Sequence, residues 1–78
     1  MSFRRDGDRV TIEMSINDWD SMIVALGIAG GVLIARGSPR ESPRAFWRFT
    51  ALVNRINQGN ADFTPYTIPE EFQDAARP

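Results

Sequence analysis

The residue types that most often carry out catalysis are missing from this 78-residue chain, which contains no cysteine, histidine or lysine. Without histidine the chain lacks the commonest general base, without cysteine it lacks a thiolate nucleophile, and without lysine it lacks a Schiff-base amine. Their absence also excludes disulfides and thiolate zinc sites, and it leaves zinc without its usual nitrogen ligand. The composition therefore predicts no metal and no cofactor, and it argues against an enzyme.

Pairs of carboxylates are the remaining groups that could do acid–base chemistry. Asp18 and Asp20 are two residues apart in a predicted helix, so their side chains diverge. Near the N-terminus of that helix, their negative charges interact favourably with the helix dipole. Asp6 and Asp8 flank Gly7, which is typical of a turn. We therefore interpret both pairs as structural.

The nine cationic side chains are all arginine, in a chain whose formal net charge is −1. Arg40, Arg44 and Arg48 recur every fourth residue, and Arg55 lies two turns beyond Arg48, so a helix would align them in one basic stripe. Arg44, Arg48 and Arg55 are thus candidate contacts to phosphate or nucleic acid. Because the net charge gives no overall attraction to nucleic acid, a solvated helix face is favoured and nucleic-acid binding is the alternative.

A further polar cluster surrounds the end of the same predicted helix. Asn54, Asn57, Asp62 and Tyr66 could line a pocket there, and the second alternative function is accordingly a small-ligand-binding protein or enzyme. Amide side chains at a helix end more often cap carbonyls and hold the following loop. The structural role is therefore the favoured interpretation of this cluster.

The elements that must position these residues are predicted to form one α+β, mainly helical domain over residues 1–78. Alternation of Val10, Ile12 and Met14 with polar residues predicts a strand at about 9–14. The Asp6-Gly7 dipeptide predicts a type I′ turn that pairs this strand with another at about 2–5. The fold should therefore begin with a β-hairpin.

Two helices, at about 16–35 and 43–58, are predicted to follow as an antiparallel helical hairpin. Ser15 should cap the first, with Gly37 just beyond its end. A helix already begun at Pro39 would clash with Pro43, so residues 38–41 are predicted to be a turn. The core stripe of the second helix comprises Phe46, Phe49, Leu52, Val53 and Ile56.

The remainder of the chain is predicted to be an extended aromatic tail. A short helical turn near 69–74 follows Ile68-Pro69, because Pro is favoured at the first helical position. The last residues, 75–78, are predicted to fray.

The first helix is unusual because it has no charged or polar side chain from Met22 to Ala35. A hairpin and one other helix cannot bury it on all sides. The uncharged stretch 21–35 spans about 22 Å as a helix, whereas a membrane span needs about 30 Å, so a homo-oligomer is favoured over a membrane span. The predicted interface residues are Ile23, Gly27, Gly31, Leu33 and Ile34.

The function predicted from these observations is binding, by a small non-enzymatic homo-oligomer that is most simply a dimer. A regulatory, adaptor or phage-type inhibitor module acting on an unidentified protein partner fits this description. The polar N-terminus is followed by no apolar segment of the kind found in secretory signals, so a cytoplasmic bacterial or phage protein is expected. The specific role does not follow from the residues.

Overall fold

The N-terminal hairpin and the helices are both present in the computed structural model, which describes all 78 residues. The α+β, mainly helical class is therefore confirmed. The elements are β1 (Ser2–Asp6), β2 (Arg9–Glu13), α1 (Ile16–Ala35), α2 (Ser38–Glu41), α3 (Pro43–Ile56) and a 3₁₀ turn at Glu70–Phe72.

The hairpin is antiparallel, and its register places Phe3 opposite Ile12 and Asp6 opposite Arg9. Its loop is therefore Gly7–Asp8 rather than Asp6-Gly7. Gly7 has a φ of 61°, and no residue other than glycine has a positive φ. Positive φ at the first loop position alone is the pattern of a type II′ turn, so the predicted type I′ turn is wrong.

Helix α1 has the bounds that the sequence predicts. The Ser15 hydroxyl accepts a hydrogen bond from the Asp18 amide at 3.1 Å, which satisfies one of the unpaired donors of the first turn. The helix ends at Ala35, and Gly37 follows with a φ of 79°. Only glycine adopts that left-handed conformation without a steric penalty, so the helix stops there.

Residues 38–41 form one helical turn, α2, so the predicted non-helical turn is wrong. The expected clash with Pro43 is avoided because Ser42, with a φ of −138°, leaves the helical conformation before the proline. Helix α3 then starts at Pro43 without a side-chain cap. It ends at Ile56 rather than at 58, and the side-chain amide of Asn57 donates to the Val53 carbonyl at 3.0 Å.

The core lies along α3, where Phe46, Ala51 and Val53 are buried. Thr50 is completely buried, and its hydroxyl donates to the Trp47 carbonyl at 3.0 Å, so its polar group is satisfied. Leu52 is 42% exposed, so its predicted place in the core stripe is wrong. The other two members of the stripe, Phe49 and Ile56, are half-buried.

The tail crosses the helices and is fixed to α3 by hydrogen bonds. The Asn54 side chain donates to the Tyr66 carbonyl at 3.0 Å and accepts from the Tyr66 amide at 2.9 Å. Ala76 is buried, and its carbonyl accepts from the Arg55 guanidinium at 2.8 Å. The prediction that residues 75–78 fray is therefore wrong at Ala76.

Candidate self-association surface

The inner face of α1 meets α3 and the tail at Gly30, the one buried residue of this helix. A Cβ added to Gly30 would lie 3.2 Å from the Tyr66 hydroxyl and 3.6 Å from a ring carbon of Phe49. Glycine therefore permits the close approach of Tyr66 and Phe49 here, and a side chain at this position would press on them. The other residues of this face are half-buried: Met22, Leu26, Ala29 and Leu33.

The outer face of α1 carries apolar side chains that are largely exposed to solvent. Val24 is 62% exposed and Ile28 is 64% exposed, and with Val32 they form a ridge of residues four apart. Beside this ridge run Gly27 and Gly31, where an added Cβ would meet nothing within 4 Å. We call these five residues the outer face; they form a ridge and a shallow furrow of a kind that fits another helix.

The predicted interface residues fall on two sides of the helix. Gly27, Gly31 and Ile34 are exposed, whereas Ile23 and Leu33 are half-buried. Sequence reasoning missed Val24, Ile28 and Val32. Helical periodicity could have found them, because the row beside Gly27 and Gly31 contains Val24, Ile28 and Val32.

The exposed surface of the whole chain is large for its size. It measures 6290 Å² for a mass of 8.8 kDa, whereas a folded monomer of this mass exposes about 4,800 Å². The radius of gyration is 13.8 Å, against about 11.5 Å for a compact domain of this length. A single copy thus leaves about 1,500 Å² more surface in water than a self-sufficient monomer of its mass would.

Helix α1 is also long and apolar enough to cross a membrane. Its 20 residues span about 30 Å, more than the uncharged stretch alone. Length and composition are weak evidence by themselves, because core helices and signal sequences share them. In this chain α1 is not buried as a core helix would be, since only Gly30 is enclosed.

The arginines of the predicted basic stripe are exposed but differ in their surroundings. Arg44 lies 4.0 Å from the Asp74 carboxylate, and both side chains are largely in solvent, so this pair contributes little. Arg55 is engaged with the Ala76 carbonyl. A surface concavity is lined by Ala45, Arg48, Phe49, Leu52, Arg55, Arg77 and Pro78.

The side-chain amides at the end of α3 form hydrogen bonds with backbone and side-chain groups of the segment that follows the helix. Asn54 binds Tyr66 as described, and the side-chain oxygen of Asn57 accepts a hydrogen bond from the side-chain amide of Asn60 at 3.3 Å. Asp62 is exposed, and its backbone amide donates to Asn60. Five surface concavities of the chain are lined by none of the four residues predicted for a pocket here, Asn54, Asn57, Asp62 and Tyr66.

Comparison of the chain with protein-family models, curated proteins and solved structures finds no match. The functional argument therefore rests on the chain's own surfaces. Of these, the outer face of α1 is apolar and continuous, so its exposure to water is unfavourable.

Proposed function

We propose that this protein is a non-enzymatic homo-oligomer, most simply a dimer, that acts by binding another macromolecule. The outer face of α1 is the surface through which copies associate. The observation that carries this proposal is the exposed apolar ridge of Val24, Ile28 and Val32 beside Gly27 and Gly31. An uncovered patch of this kind on a small domain is typical of an association site.

The steric features of the outer face suit contact between two helices. With no Cβ at Gly27 and Gly31, a partner backbone can approach closely, and the partner's Val24 or Ile28 can enter the furrow. In a twofold dimer the same patch serves both copies, so ridge and furrow are complementary by symmetry. Burial of apolar area then provides the driving force, at about 25 cal/mol per Å².

The amount of exposed surface also supports association. A specific interface of standard size buries about 800 Å² per partner. The excess of about 1,500 Å² on one copy is larger than this requirement. Covering it would bring the chain to the exposure expected of a folded protein of its mass.

An aqueous location, the cytoplasm, is favoured over a bilayer by the packing of α3 on α1. Contacts between these helices, such as that of Phe49 with Gly30, would carry α3 into the bilayer with a spanning α1. The exposed Arg44 and Arg48 would then enter the hydrocarbon region, at a cost of at least about 2.5 kcal/mol each near its centre. In a soluble oligomer these arginines remain in water.

Association through α1 leaves the surface of α3 and the tail for a protein partner. This surface is more polar and carries charges of both signs, including Arg44 and Asp74. Such a composition is typical of a non-obligate interface. A regulatory, adaptor or inhibitor role remains the function that best fits a protein lacking the usual catalytic side chains.

The variant Ile28→Asp tests the role of the outer face. The aspartate would place a charge in the buried centre of the interface, so we expect the dimer dissociation constant to rise at least about a hundredfold. Gln58→Asp, an exposed change just beyond α3, is the matched control and should leave association unchanged. Equal dissociation constants for both variants, measured by analytical ultracentrifugation, would argue against this face.

A second candidate function is the binding of phosphate groups or nucleic acid at the concavity that contains Arg48, Arg55 and Arg77. Three guanidinium groups around exposed apolar atoms of Phe49 and Leu52 could hold an anion that also has an apolar part. Binding of a labelled single-stranded oligonucleotide should then weaken with salt and with Arg48→Gln, but not with Arg36→Gln. An absence of binding at low salt would remove this candidate.

A further inference from the structure

The β-hairpin stands apart from the rest of the molecule. Neither strand comes within 8 Å, Cα to Cα, of a residue in any helix, and every residue of both strands is exposed. A two-stranded hairpin without such support is at best marginally stable in water. This hairpin therefore needs a surface that α1, α2 and α3 of its own chain do not supply.

One face of the hairpin is suited to burial. Phe3 and Ile12 are directly opposite each other and are 67% and 52% exposed, and Val10 lies on the same face two residues from Ile12. Arg5, opposite Val10, is also on this face, whereas the other face is polar and contains Arg4 opposite Thr11. Exposed large apolar side chains are therefore concentrated on one side of the sheet, as in a half-buried strand pair.

The apolar face continues toward α1. Ile12 lines a concavity at the junction of the hairpin with the helix, together with Met14, Ile16 and Trp19. Ile16 is 71% exposed. A partner that packs on the hairpin would therefore also contact the start of α1, the same helix that carries the outer face.

We propose that the hairpin is an intersubunit arm whose apolar face, Phe3, Val10 and Ile12, is covered by a second copy of this chain. This inference rests on the proposed function, because it requires an oligomer. In a twofold dimer the arrangement would be reciprocal, each arm being covered by the other copy.

The amount and chemistry of the uncovered surface point to a second copy as the occupant. The excess of about 1,500 Å² is nearly twice the share of one partner in a standard interface, so it leaves room for both the outer face of α1 and the arm. Phe3, Val10 and Ile12 are apolar and match the ridge of Val24 and Ile28, and the long side chain of Arg5 can keep its charge in water at the edge of such a contact.

Two neighbouring substitutions on β2 test the arm. Ile12→Glu places a charge on the apolar face, and we expect it to raise the dimer dissociation constant at least about tenfold, from the lost burial of one isoleucine. Thr11→Glu places the same charge on the opposite face, across from Arg4, and should change the constant by no more than about threefold. Equal effects of the two variants would overturn the proposal.

Chemical labelling provides a second measurement in case Ile12→Glu unfolds the hairpin. Because the chain has no cysteine, Ile12→Cys and Thr11→Cys each introduce a single thiol. In the assembled protein, a thiol-reactive fluorophore should label Ile12→Cys at least about tenfold more slowly than Thr11→Cys, since only the former is covered. Equal labelling rates in a protein shown to be a dimer would overturn the arm alone, whereas a monomeric wild type would overturn the oligomer and the arm together.

Discussion

Two adjacent glycines of α1 show how one residue's surroundings decide its role. Gly30 lies against Tyr66 and Phe49, whereas nothing lies within 4 Å of a Cβ added at Gly31. Sequence reasoning placed Gly27 and Gly31 in the predicted interface but did not single out Gly30. Spacing alone could not distinguish them, because which side of α1 faces α3 depends on how the two helices pack.

The variant Gly31→Leu should therefore strengthen the single chain and weaken its assembly. Replacing glycine by leucine within a helix favours folding by up to about 1 kcal/mol, and the side chain has open space in one copy. In the dimer it would fill the furrow, and overpacking should raise the dissociation constant at least about tenfold. Unchanged assembly, measured by light scattering, would count against the outer face as the contact.

The same substitution one residue earlier is the matched control. Gly30→Leu would press against the Tyr66 hydroxyl and the Phe49 ring, so we expect the free energy of unfolding of the single chain to fall by about 1–3 kcal/mol. Urea denaturation at a concentration below the dissociation constant measures this effect. A fall as large for Gly31→Leu would show that both faces of α1 are packed within one copy.

Asn54 is the residue that fixes the tail. Asn54→Ala removes two hydrogen bonds to the Tyr66 backbone. The part-buried backbone amide and carbonyl of Tyr66 then lose these partners. We expect the free energy of unfolding to decrease by about 1–3 kcal/mol, whereas Gln58→Ala, an exposed change nearby, should have little effect. Equal values for the two variants in urea denaturation would show that the tail is not held in this way.

At the scale of elements, local signals determined how well the sequence predicted the fold. The bounds of α1 follow from Ser15 and Gly37, which cap it and end it through their own conformations. The single turn of α2 was missed because it depends on Ser42 leaving the helix before Pro43. In α3, the amphipathic pattern predicted Leu52 in the core, whereas Leu52 is 42% exposed and Thr50 is completely buried.

Hydrogen exchange should report whether the hairpin depends on assembly. The amides that pair β1 with β2 should exchange rapidly in dilute protein, because an isolated hairpin is marginally stable, and slowly once the arm is covered. Amides of α3 should be protected under both conditions, since this helix carries the core. Strand amides that are equally protected at every concentration would show that the hairpin is stable without a partner.

At the scale of the whole molecule, one copy of the chain exposes more surface than is usual for its mass. Seven of 78 residues are buried, and the exposed apolar groups lie mainly on the hairpin and α1. The uncharged run from Met22 to Ala35 indicated in the sequence that apolar surface would remain exposed on one copy. The sequence could not indicate that the hairpin is also uncovered, because alternation predicts an apolar face without saying what packs on it.

The mass of the particle in solution tests the central claim most directly. Size-exclusion chromatography with light scattering, run over a range of micromolar concentrations, should give about twice the 8.8 kDa of one chain. The mass should fall toward that of one chain only on dilution or with Ile28→Asp. A constant mass of 8.8 kDa at every concentration would contradict the proposal that two copies cover each other's apolar surface.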